Sequence, residues 1–240
     1  MFLDEDKKQQ IKKELYDYID TKCIFRCDPQ IRYVDGIEKG QLPTKHPSKN
    51  HMTYQFYLRN LTHNPIMLTH ISAIFLDDLL TKIKNKEENS HFQLCGLATN
   101  SISLMTAIQM CALKLNINVN AFTIRKERKS YGLFNLIDGM PTEAPVIVVD
   151  DLINSGNSVS KCLEVCRYEF GLIPSKNTYS IIKMKSNINK FNYNDNLISI
   201  NSIFTKDEFD YAYDPDKYWL PDDCDKSINK RPEYQQGILY

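Results

Sequence analysis

"APVIVVDDLINSGNSVSKCLEVC" occupies residues 144–166. Four branched apolar residues, Val146 to Val149, run straight into Asp150 and Asp151 and then into a short polar loop with a single glycine, Gly156. The branched run predicts a buried strand over 145–150, and the residues from about Gly156 to Phe170 read as a helix. Ligands of open α/β sheets sit at the carboxyl ends of the strands, so this strand delivers two acids to the edge where a ligand is expected. The small residues of the following loop let backbone N–H groups point inward, and the loop opens into a helix N-terminus that favours an anion. Two adjacent carboxylates repel a bare phosphate. A ligand that satisfies both halves carries hydroxyls or a divalent cation beside its phosphate, as a phosphorylated sugar does. The plainer reading is that the acids end the strand and cap the helix.

Outward from this segment the chain alternates helix and strand. Apolar residues at helical spacing predict helices over 5–20, over 64–86 with Pro65 in the first turn, and from Ser101 to about 116. Strands are expected at 91–98, 117–125, 178–185 and 196–200. Strands separated by helices require crossover connections, so the fold class is α/β, a parallel sheet flanked by helices, with a small N-terminal hood-like lobe. The expected organisation is an N-terminal helix and lobe over 1–60, a core over 61–206, and an irregular tail over 207–240 that packs on the core through its aromatic rings. A basic loop spans 125–132.

The 240 residues carry 30 Lys and Arg against 30 Asp and Glu, so no global charge attracts nucleic acid or an anionic membrane. No run approaches the roughly 20 apolar residues that span a bilayer, and the N-terminal "MFLDEDKKQQ" lacks the pattern of a signal peptide. Seven cysteines without a tight spacing pattern point to free thiols in a reducing compartment, hence the cytoplasm. The five histidines show no metal-ligand spacing with them.

"VIVVDDLINSGNS" resembles the phosphoribosyl pyrophosphate (PRPP) signature of type I phosphoribosyltransferases, in which a hydrophobic strand leads to two acids and a Thr- and Gly-containing phosphate loop. Asn154 stands where family members usually have Thr, and Ser158 where Thr or Ala is common. "FTIRKERKSYG" (122–132) is similar to the mobile Arg-Lys-Glu-x-Lys-x-His-Gly loop of the orotate phosphoribosyltransferases, with Arg125, Lys126, Glu127, Lys129 and Gly132 in register and Tyr131 in place of the histidine. "CGLATNSISLMTA" (95–107) resembles the loop that holds pyrophosphate, although Asn100 replaces its lysine. "YQFYLRNLTHNP" (54–65) resembles the segment leading to the long N-terminal helix, with Lys45 or Lys49 upstream.

The resemblance implies a Mg²⁺-dependent phosphoribosyltransferase that moves the phosphoribosyl group of PRPP to a nucleobase, orotate first among them. Asp150 and Asp151 would take the ribose hydroxyls and, through ribose, pyrophosphate or water, the metal. Asn154, Ser155, Gly156, Asn157 and Ser158 would hold the 5-phosphate. Thr99 and Asn100 would hold pyrophosphate, and Arg125, Lys126 and Lys129 would supply cations as the loop closes. A homodimer follows by analogy. A purine phosphoribosyltransferase and a non-catalytic PRPP or nucleotide sensor on the same fold are the competing readings.

Overall fold

The computed structural model describes residues 3–32, 38–42, 52–127, 136–194 and 196–217. Ile11, Leu15 and Ile19 recur at helical spacing and are buried along one stripe of α1 (Glu5–Lys22). A short hairpin follows, β1 (Ile24–Arg26) antiparallel to β2 (Tyr54–Phe56), and then one helical turn, α2 (Arg59–Thr62). In α3 (Pro65–Lys84) Asn64 caps the first turn by accepting from the N–H groups of Ile66 and Met67, and Pro65 occupies the first position, where no amide is needed.

β3 (Gln93–Leu97), α4 (Asn100–Lys114) and β4 (Asn120–Ile124) make one right-handed repeat of the α/β plan. The helix expected to enter through Ser101 has its N-cap two residues earlier in the chain, at Thr99. Ser101 lies inside the helix, fully buried, its hydroxyl donating to the Leu97 carbonyl at 2.8 Å. The two-residue β5 (Ile137–Asp138) pairs antiparallel with β4.

β6 runs Val146–Ile153, three residues beyond the expected 145–150, because Leu152 and Ile153 continue the ladder against β7. α5 (Asn157–Phe170) ends at Gly171, whose positive φ of 64° turns the chain back. β7 covers Pro174–Lys183 rather than 178–185. β9 (Asn196–Thr205) is twice the expected length, and β8 (Lys190–Tyr193), which pairs antiparallel with it, was hidden by its polar composition.

The resulting seven-stranded sheet has the order β5-β4-β3-β6-β7-β9-β8, parallel at its centre and antiparallel at both edges. Val146, Val148, Ile198 and Ile200 form a core with Val159, Cys162, Leu163 and Cys166 of α5. Tyr179, on the opposite face of β7, packs edge-on against Phe75 of α3.

The chain divides into two compact units. One comprises residues up to Leu15 with Thr62–Glu208 and holds the sheet. Within it, Asp77 of α3, 2% exposed, accepts from the Leu3 amide at 3.0 Å and pairs with Lys8 at 2.9 Å. The other comprises Tyr16–Leu61 and the chain from Phe209 onward. There Arg26, 1% exposed, pairs with Asp20 at 2.5 Å and donates to the Asp210 carbonyl, while Tyr211 stacks on Tyr54 at 3.9 Å and Phe209 on Tyr16 at 5.0 Å.

Candidate active site

The chain leaves β3 through α4 to β4 on one side and later crosses to β6 on the other, so the strand order reverses between β3 and β6. At such a reversal the flanking helices diverge to opposite faces and leave a crevice at the carboxyl edge. Here β3 pairs with β6 only from Gln93 to Cys95. The Ala98 amide donates to the Ile124 carbonyl at 2.7 Å, which continues the pairing of β3 with β4 one residue past the end of β3.

Asp150 and Asp151 stand on β6 beside this crevice, 8% and 9% exposed. Asp151 donates its amide to Oδ1 of Asp150 at 3.0 Å. Burial first, and the neighbouring Asp151 carboxylate second, push Asp150 up to about 8, with the positive charge of Lys126 opposing them. The site thus favours the protonated acid over the anion at Asp150, and a ligand that needs its anion must supply positive charge or displace the proton.

Beyond the acids the loop Asn154–Gly156 climbs to α5. Gly156 has φ of 81°. A Cβ there would meet nothing within 4 Å, so backbone conformation demands the glycine and the space before it is open. No side chain caps α5, although Ser155 Oγ accepts from the Asn157 amide at 3.4 Å. This leaves the first amides of α5 without a side-chain cap and able to receive an anion.

Across the crevice, Thr99 is exposed and Asn100 half-buried at the start of α4, and the Ala98–Thr99 peptide is cis. Gly96 lies so close that a Cβ would stand 2.3 Å from Ser101 Cβ and 2.7 Å from the Val149 carbonyl oxygen.

The basic loop enters the site at its base. Arg125 is committed to Asp138 at 2.6 Å and its amide donates to the Leu136 carbonyl. Lys126 is exposed and near enough to Asp150 to lower its pKa, while its carbonyl accepts from Lys161 of α5 at 2.5 Å. Lys129, Arg128, Tyr131, Lys45 and Lys49 lie outside the described residues. The structure thus places Asp150 and Asp151 on β6, Asn154, Ser155 and Gly156 in the loop after it and Asn157 and Ser158 at the start of α5, with Lys126 near Asp150 and with Thr99 and Asn100 at the start of α4 after the neighbouring β3.

Two lysines escaped sequence reasoning. Lys161 was read only as part of a helix. Lys183 ends β7 in register with Ile153 and is 6% exposed. Its ammonium bonds the neutral Asn189 Oδ1 at 2.5 Å. A buried cation with an amide for its partner is costly unless an anion joins it. It lines a cavity of about 400 Å³ walled by Phe75, Ile108, Val149 and Tyr179, into which Lys12 of α1 also projects. Lysine at the end of a strand reads in sequence as an exposed terminus, which is why this one carried no signal.

No family profile matches the chain. The orotate phosphoribosyltransferase of Leptospira biflexa is 26% identical over 197 residues, which is 81% of this chain and 95% of that protein. Among solved structures, the Mycobacterium tuberculosis H37Rv orotate phosphoribosyltransferase in complex with Fe(III) dicitrate superposes with a TM-score of 0.58 at 17% identity, covering 82% of this chain and 98% of that one. A phosphoribosyltransferase from Corynebacterium diphtheriae superposes with the same score at 16% identity, covering 83% and 98%.

Proposed function

The fold is that of the type I phosphoribosyltransferases, and on that premise we propose that this chain transfers the phosphoribosyl group of PRPP to orotate, giving orotidine 5′-phosphate and pyrophosphate. The observation that carries the reading is the buried acid pair at the sheet's reversal point, followed at once by an uncapped helix N-terminus. The likeness to the Leptospira biflexa enzyme over 81% of this chain supports orotate as the acceptor.

The α5 N-terminus and the Asn154–Ser158 backbone hold the 5-phosphate. Asp150 and Asp151 accept hydrogen bonds from the ribose hydroxyls below the ring. As the bond to pyrophosphate breaks, positive charge grows on the sugar and negative charge on the leaving group, so carboxylates on one side and cations on the other lower the barrier. Lys126 supplies a cation from the base of the loop, and Lys129 is assigned the same task, with loop closure excluding the water that would hydrolyse the sugar. Lys183, with Lys12, takes the carboxylate of orotate at the cavity beside Val149, and the apolar wall takes the pyrimidine ring.

Among the described residues no group of three or more His, Cys, Asp or Glu side chains could cage a metal. Two carboxylates suit a Mg²⁺ that arrives on PRPP and keeps most of its ligands from phosphate and water. Held by Asp150 and Asp151, the ion would neutralise charge on pyrophosphate. A homodimer is supported by Ile102, Met110 and Leu113, which share one exposed stripe of α4. No helix among the described residues is long and apolar enough to cross a membrane, and buried free cysteines fit a cytoplasmic setting.

The test is pyrophosphate release from PRPP and Mg²⁺ against orotate, uracil, hypoxanthine, guanine, xanthine and adenine. Release with orotate is the expected result. Release with a purine alone reassigns the acceptor. Silence across the panel, with PRPP binding retained in calorimetry, overturns catalysis in favour of a sensor.

A further inference from the structure

The hydroxyl of Ser180 has no part in the chemistry described so far. Ser180 stands on β7, 6% exposed, and its Oγ is buried without a hydrogen-bond partner. Such orphans are rare in folded proteins, because a hydroxyl removed from water loses its bonds and ordinarily finds others. The neighbouring Thr178, two residues back on the same face, shows the usual outcome by donating to the Val148 carbonyl at 2.7 Å.

Ser180 is the register partner of Asp150. Paired residues on adjacent parallel strands lie about 4.8 Å apart and send their side chains to the same face. The next residue across, on β9, is Ser202, so a polar row runs Asp150, Ser180, Ser202 in a sheet otherwise lined at this depth by Val148, Thr178 and Ile200 below and Leu152, Ile182 and Phe204 above. A buried donor without an acceptor therefore faces a buried carboxyl whose backbone bond engages only Oδ1.

We propose that Ser180 is a positioning residue for Asp150: with the sugar bound, its hydroxyl donates to the Asp150 carboxylate and aims the remaining lone pairs at a ribose hydroxyl. The inference rests on the PRPP reading above. It requires only rotation of one hydroxyl-bearing side chain, and it adds a contact to the Asp150 carboxyl from the neighbouring strand, beside the one that the Asp151 amide makes within β6. The same polar row explains why β7 carries serine at a depth where its neighbours Ile181 and Ile182 are apolar and at most 1% exposed.

Ser180→Ala deletes one oxygen and leaves the backbone undisturbed. The expected result is a PRPP dissociation constant and a KM for PRPP raised about tenfold, the size of one lost charge-assisted hydrogen bond. The KM for orotate stays unchanged, and the unfolding midpoint does not fall, because the deleted hydroxyl had no partner in the free protein. In an Asp150→Ala background the same substitution has no further effect on kcat/KM for PRPP, because the partner is gone. An unchanged PRPP dissociation constant overturns the proposal, as does a loss that falls on orotate, or one that adds in full to Asp150→Ala. Wild-type protein that binds no PRPP at all removes the functional reading and this inference together. Wild-type binding that survives Ser180→Ala intact removes this inference alone.

Discussion

Asp150 couples the site to pH. Its ordinary value of 3.8 is lifted to about 8 in the folded protein by burial and by Asp151. The folded state then holds this proton more tightly than the unfolded chain, so the stability it contributes is complete below about pH 4 and is lost progressively as pH rises toward about 8. Asp150→Asn abolishes the effect. Chemical denaturation at a series of pH values is expected to show the wild type weakening more than Asp150→Asn between about pH 4 and 8; parallel curves would contradict the assigned burial. Lys183 makes the opposite case, a buried cation bonded to Asn189. Lys183→Met keeps the stem and removes the charge. It is expected to raise the KM for orotate by about 100-fold, the loss of a buried charge pairing, to leave PRPP binding alone, and to raise the denaturation midpoint. Substrate-titration kinetics together with a urea curve check all three.

At the level of elements, the segment 144–166 announced itself because strand, acids, loop and helix are contiguous, and contiguity is what a sequence displays. Asp150, Asp151 and Gly156 stand out as candidates for that reason. The end of β6 was misplaced because two aspartates look like a terminus, whereas the ladder to Leu152↔Ile182 and Ile153↔Lys183 carries the strand past them. Ser180 and Lys183 give no signal as candidates in the sequence, since only register brings β7 beside the acids. β5 and β8 were missed because two and four residues, several of them polar, generate no period. Gly96 shows how closely the elements fit: β3, the first turn of α4 and β6 meet with no room for a methyl group. Gly96→Ala forces the backbone of β3 from the Val149 carbonyl, and it is expected to cost about 1–3 kcal/mol and to lower activity beyond what the stability loss explains. Guanidinium denaturation and kcat/KM on the same preparation separate the two effects.

The whole chain is held in two units, and in the smaller one distant parts of the sequence are joined by a single guanidinium. Arg26 binds Asp20 six residues back and the Asp210 carbonyl 184 residues on, and Asp20 also receives Lys217 at 2.8 Å. Removing one partner from a buried ion pair strands the other without water. Arg26→Ala is expected to cost about 3–5 kcal/mol, and limited proteolysis should then cut near residues 209–217 before the sheet unit is touched. Retained protection there would show that the stacked rings Tyr54–Tyr211 and Tyr16–Phe209 suffice. The sheet unit has its own safeguard. Its outermost strands, β5 and β8, run against the direction of their neighbours and are two and four residues long. A second molecule meeting either margin finds too short a row of amides and carbonyls to extend the ladder. Among the described residues, edge-to-edge pairing through the seven-stranded sheet is thereby disfavoured.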